Sequence, residues 1–288
     1  MKTNIKFKDS IFSYLFSDPD TLRELYCALK GVSLPDDIPV VINTLEDILF
    51  MDRINDISFV IDDKLVVLVE HQSTINPNMA LRLLSYITRV YEKIIDKKII
   101  YGTRLQSLPK PEFFVLYNGT AEYPDEKIIK LSDAYESVGS LGLTGKGSPA
   151  LVLVVRVVNI NHGRNQEIAQ RSKTLASYSA FVGKVQEHEK EGLCREAAVK
   201  EAIRYCVEHD ILKEFLEQNG SEVMNMLILD WNMADALSVR YEEGREEGRE
   251  EGIEKGIEKG IETTARNALA EGAAPEFVQK ITGLDKKP

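Results

Sequence analysis

Asn55-Asp56-Ile57-Ser58-Phe59-Val60-Ile61, Asp62-Asp63-Lys64, then Leu65-Val66-Val67-Leu68-Val69-Glu70-His71-Gln72 is the stretch that decides the fold. Two apolar runs separated by a short polar turn read as a β-hairpin. With a three-residue turn, antiparallel partners carry numbers adding to 126, and Asp56 falls opposite Glu70. Directly opposed side chains share a face with their Cβ atoms about 5 Å apart. Gln72, two residues on, projects from that same face. Two opposed carboxylates repel unless something neutralises them. A hard divalent cation such as Mg²⁺ does so, because it prefers oxygen ligands and often takes only one or two protein carboxylates. Spacing leaves two alternatives open: both acids are strand-end residues facing water, or a two-residue turn puts them on opposite faces.

Outward from the hairpin, the first 160 residues alternate helical and extended patterns. Ile11, Phe12, Leu15 and Phe16 recur at helical spacing. Pro19 and Asp20 open a second helix over about Thr21–Leu29 that ends at Gly31. Val40–Asn43 reads as a short strand. Beyond the loop Ser73–Pro77, a long helix is predicted from about Asn78 to Ile95, followed by strands at Phe113–Tyr117 and Leu151–Val158. Gly139–Pro149 reads as the loop between those two strands. After about Asn161 the text turns rich in Lys, Glu, Ala and Leu. Four regions are expected: an α/β domain over 1–160, a helical region over 161–240, a Gly-x-x-x helix over 241–262, and a short helical hairpin over 263–288.

Composition narrows the function. The 288 residues carry 36 Lys+Arg against 46 Asp+Glu, a net charge of −10, and 43% are hydrophobic, enough for a sizeable core. The acidity is partly local: residues 241–260 hold eight Glu against two Arg and two Lys, so a basic groove elsewhere is compatible with the total. Three scattered cysteines (Cys27, Cys194, Cys206) and four scattered histidines argue against disulfide scaffolds and zinc chemistry. No apolar run reaches the roughly 18 residues of a membrane span. The charged start, Met1-Lys2-Thr3-Asn4-Ile5-Lys6, has no signal-peptide core and points to the cytoplasm.

The order of motifs then becomes specific. Lys8-Asp9-Ser10-Ile11-Phe12, Asn55-Asp56-Ile57 and Val69-Glu70-His71-Gln72-Ser73 come first. A helix with Arg82 and Tyr86 follows, then Phe114-Val115-Leu116-Tyr117-Asn118-Gly119 and the C-terminal glycine repeat. This series resembles the PD-(D/E)XK nuclease superfamily, and within it the recombination-promoting nuclease / putative transposase family. The resemblance implies a restriction-endonuclease-like αβββαβ core with a C-terminal helical extension. It implies a Mg²⁺- or Mn²⁺-dependent DNA endonuclease linked to recombination or transposition. Asp56 matches the metal-binding Asp of the second core strand and Glu70 the acidic residue of the third, while Asp9 matches an acidic position on the first helix. Gln72 stands where the superfamily pattern has Lys, and Gln cannot lend positive charge to a transition state.

On the helix after Gln72, Arg82, Arg89 and Lys93 lie close to one stripe, and Lys97, Lys98 and Arg104 extend it. Such a stripe could follow a DNA phosphate backbone, or could simply be the charged outer face of an amphipathic helix. His71, between Glu70 and Gln72, faces the other way and reads as a core histidine. Gly244, Gly248, Gly252, Gly256 and Gly260 cost a helix about 1 kcal/mol each relative to Ala. Close approach of a second helix would offset that cost, so a homodimer through this segment is expected, with a charged flexible linker as the alternative. The second functional reading is a catalytically inactive nuclease-fold protein, acting as a dimeric DNA- or protein-binding module.

Overall fold

The hairpin forms with the three-residue turn. In the computed structural model, which describes residues 11–43, 57–96, 98–137 and 149–283, β2 (Ile57–Ile61) pairs antiparallel with β3 (Leu65–Gln72) in the register Ile57↔Val69 to Ile61↔Leu65. Asp62 and Asp63 both take a φ of 49°. Aspartate tolerates this left-handed region better than most residues, because its short polar side chain bonds locally. Lys64 closes the turn, its N–H donating to Ile61 O at 3.0 Å.

Around this pair the sheet grows in both directions. β1 (Val40–Ile42) lies antiparallel to β2, and β4 (Lys110–Tyr117) lies parallel to β3. β6 (Val154–Asn159) continues parallel to β4, and β5 (Glu126–Lys130) closes the edge antiparallel to β6. The six strands run in the order β1-β2-β3-β4-β6-β5. A parallel neighbour requires a crossover, and α3 (Met79–Ile94) supplies it between β3 and β4. α1 (Ile11–Leu15) and α2 (Pro19–Lys30) precede the sheet. Asp18 caps α2 by accepting from the N–H groups of Asp20 and Thr21 at 3.0 Å each. The succession α2-β1-β2-β3-α3-β4 is the expected αβββαβ core, and the fold is α/β and restriction-endonuclease-like.

β5 is a departure from the expected elements. Its Glu-Lys-Ile-Ile-Lys is exposed along nearly its whole length, so it never forms the apolar run that marks a buried strand. Charged residues on an edge strand keep it from pairing with other chains. The last strand also begins at Val154 rather than Leu151. Most of the expected 139–149 loop lies outside the described residues.

Alternation along β3 sorts the core into two faces. Val66, Leu68, Val115, Tyr117 and Val157 meet Leu83, Tyr86 and Val90 of α3. On the opposite face, His71 stacks on Phe12 (ring centroids 4.8 Å apart) and meets Tyr178 edge-on. Tyr178 belongs to α5 (Lys173–Lys190), which follows the short α4 (Gln166–Arg171).

Past α6 (Arg195–Glu208), α7 is continuous from Lys213 to Ala270 and α8 spans Pro275–Thr282. The expected boundaries at 240 and 262 fall inside α7, and the first arm of the expected terminal hairpin is the end of that helix. Residues up to Ile228 form one compact unit, and those from Leu229 onward form a second. Among the described residues no helix is long and apolar enough to cross a membrane.

Candidate active site

Glu70 and Gln72 leave β3 on the α3 face, as strand alternation requires. Glu70 is only 1% exposed. A buried carboxylate needs a partner of opposite charge or a set of donors, and α3 provides one. Arg82 Nη2 donates to Glu70 Oε2 at 2.9 Å and contacts the Tyr86 hydroxyl at 3.2 Å. Met79, Arg82 and Tyr86 are spaced i, i+3 and i+7, so one face of α3 delivers all three onto the strand. The Gln72 amide donates to Met79 Sδ, which Arg82 Nη1 approaches at 3.4 Å. The guanidinium carbon lies 5.8 Å from the Tyr86 ring centroid, within cation–π range.

The end of β3 is fixed to the end of β4. Asn118 N–H donates to Gln72 O at 3.0 Å. Gly119 packs so closely on the following loop that a Cβ there would stand 1.8 Å from Ser73 O. On the far face, His71 Nε2 and the Tyr178 hydroxyl are 3.0 Å apart, and Asn118 Nδ2 donates to that hydroxyl at 3.3 Å. Burial pushes the imidazole down to about 4, against a smaller upward pull from Asn118, so the ring is neutral at pH 7. His71 therefore packs the core beneath the strand, on the face opposite Glu70.

Asp56 and Asp9 lie outside the described residues. The observed register, Ile57↔Val69 to Ile61↔Leu65, removes the two-residue-turn alternative. Arg82 turns inward to Glu70, whereas Arg89 is half-buried and Lys93 is exposed in the last turn of α3. The Arg82–Glu70 pair was not read from the sequence. Its signal was available: Arg82 lies between Met79 and Tyr86, beside the apolar stripe Met79, Leu83, Tyr86, Ile87, Val90, where an ordinary outward-facing arginine does not belong. Among the described residues no group of three His, Cys, Asp or Glu side chains converges. The oxygens of Glu70 and Gln72 on one face are the hard donors that Mg²⁺ takes, and one or two carboxylates suffice for it.

The stretch from before the hairpin to beyond β5 is similar to a known family. Residues 44–137 match the family described as putative transposase, YhgA-like. The match covers about a third of the chain and includes Glu70, Gln72 and Arg82. It bears out the resemblance carried by the motifs and makes this segment similar to putative transposases. No curated protein and no solved structure matches the chain.

Proposed function

We propose that the protein is a metal-dependent DNA endonuclease that hydrolyses phosphodiester bonds at the β3–α3 face. The observation that carries this reading is the buried Glu70 carboxylate beside Gln72, with the Arg82 guanidinium 2.9 Å away. Glu70 and Asp56 would hold Mg²⁺ or Mn²⁺, the pairing expected from the hairpin sequence, with Asp9 as a further acidic group. The bound ion would lower the pKa of its water and offset charge building on phosphorus.

The chain's own residues take the remaining roles. Gln72 orients the attacking water or a phosphate oxygen through its amide. Arg82 is permanently charged and planar, suited to two phosphate oxygens at once. It thereby supplies from α3 the positive charge that Gln72 cannot supply from β3. Arg89 and Lys93 continue along α3 as contacts to the DNA backbone. Supercoiled plasmid nicking tests this assignment. Wild-type protein with Mg²⁺ or Mn²⁺ converts plasmid to open circles, a chelator stops it, and Glu70→Gln or Asp56→Asn reduces the rate by a factor of 10² or more while circular dichroism stays unchanged. Wild-type rates in either variant would reject the site.

A second reading is a dimeric binding module without hydrolysis. It is favoured by Arg82 already neutralising Glu70 and by Gln in the lysine position. An inert wild-type protein that still retains plasmid would select it. In both readings α7 pairs two protomers. Support comes from its helical continuity through the glycine repeat, the open space beside Gly248, Gly252, Gly256 and Gly260, and exposed Ile253 and Ile257.

A further inference from the structure

A cleft of about 670 Å³ opens where β4 and β6 end, lined by residues that follow Tyr117 and Asn159 and by one side of α5. β3, β4 and β6 are mutually parallel, so their carboxyl ends lie along one edge of the sheet. Chains diverging from such an edge leave the crevice in which α/β sheets receive ligands. Gly119 belongs to the wall of this cleft and also abuts Ser73, one residue beyond Gln72. The cleft therefore begins beside the strand end that carries the candidate active site.

Its walls are built. Asn159 Oδ1 accepts from the Asn161 backbone N–H at 3.1 Å and from Asn161 Nδ2 at 3.0 Å, and the same Nδ2 reaches Gly119 O at 3.0 Å. The loop after β6 is thus tied to the loop after β4. The loop also rests on α5 at Gly183, where a Cβ would stand 2.7 Å from His162 Cβ. Any larger residue would push the two walls apart.

Its charge runs against that of the chain. Arg164, Lys184 and Lys190 line it against Glu122 and Glu187, within a protein of net charge −10. Lys184 is held in place, with its ammonium 4.3 Å from the Tyr205 ring centroid and 2.8 Å from Glu187. Arg164 pairs with Asp125 across a half-exposed contact, and such surface pairs are worth little, so giving one up costs little. Lys190 is exposed at the end of α5.

We propose that this cleft is a nucleotide subsite, holding a backbone phosphate of the strand on which the Glu70 site acts. This deepens the nuclease reading and rests on it for the identity of the strand. The shared chemistry is a nucleotide phosphate, whether within a strand or free.

The test is binding of a fluorescent deoxythymidine octamer by full-length protein in chelator, followed by anisotropy at several salt concentrations. Arg164→Glu with Lys190→Glu raises Kd at least tenfold, and the salt slope falls by roughly 0.7 for each phosphate that the variant no longer neutralises. Arg164→Gln with Lys190→Gln gives an intermediate Kd. The same reversal at the opposite sheet edge, Lys64→Glu with Lys110→Glu, changes Kd less than twofold. Competition by thymidine monophosphate separates the sources: displacement of the octamer from wild type but not from the reversed variant identifies a free nucleotide, and failure to displace identifies the strand. Unchanged Kd and slope in the cleft variants, or an equal loss in the opposite-edge control, overturns the subsite. If octamer binding depends on the cleft but plasmid is never cut, the subsite stands and hydrolysis fails. If plasmid is cut through Glu70 while the cleft variants bind normally, the reverse holds.

Discussion

Arg82 pairs with the buried Glu70 carboxylate, and the order of its effects is predictable. Removing one partner of a buried ion pair costs more than the pair itself contributes, since the survivor keeps its desolvation penalty. Arg82→Ala should therefore destabilise the protein by about 3 kcal/mol, measured by urea unfolding. Pairing it with Glu70→Leu should recover much of the loss; a second equal loss would mean that the two side chains act independently. His71 gives a pH signature at the same scale. Its folded-state value of about 4 lies below the ordinary 6.5, so the unfolded chain binds a proton first. The stabilisation is complete above about pH 6.5 and disappears as pH falls towards 4. Thermal unfolding of His71→Phe should show a weaker decline across that window than wild type, and parallel curves would remove His71 as the cause. The sequence made the face of His71 legible through strand alternation alone. Arg82 was harder to read, because i, i+7 and i+11 spacing is shared by a phosphate stripe and by a helix that turns its first member inward.

At the scale of elements, the hairpin was legible because apolar runs and a polar turn repeat the same message. One integer, the turn length, then sets every partner. β5 was not legible, since an edge strand exposed along its length carries no hydrophobic period to detect. Its existence depends on β6 offering an open edge, which is tertiary information. The joint between β3 and β4 was equally hidden, because no local pattern announces that Gly119 abuts Ser73. Gly119→Ala should force that loop away from Gln72. The expected result is a loss of about 1–3 kcal/mol, typical of overpacking, together with reduced plasmid nicking. Wild-type stability would mean that the strand ends separate without cost.

For the whole molecule, the glycine repeat separates helix stability from self-association. Gly252 and Gly256 face open space within one chain. Replacing both with Leu should raise helix stability by somewhat under about 1 kcal/mol per site. The same change blocks close approach, so light scattering should report a mass falling from two chains to one. A dimer that survives both leucines would exclude the glycine track as its contact. The repeat and its cost were legible in the sequence. The unbroken run from Lys213 to Ala270 was not, because helical periodicity before Tyr241 and charge patterning after it look like different segments.

That run has a consequence set by simple geometry. Four residues overshoot one turn of a 3.6-residue helix, so each successive glycine is rotated about 40° and raised about 6 Å from the last. The track winds around the rod like a shallow screw thread, and a straight partner can touch only a few consecutive notches before the thread turns away. Inserting or deleting one four-residue unit would then lengthen or shorten the rod and rotate its tip, while leaving the grip between two such rods nearly as strong.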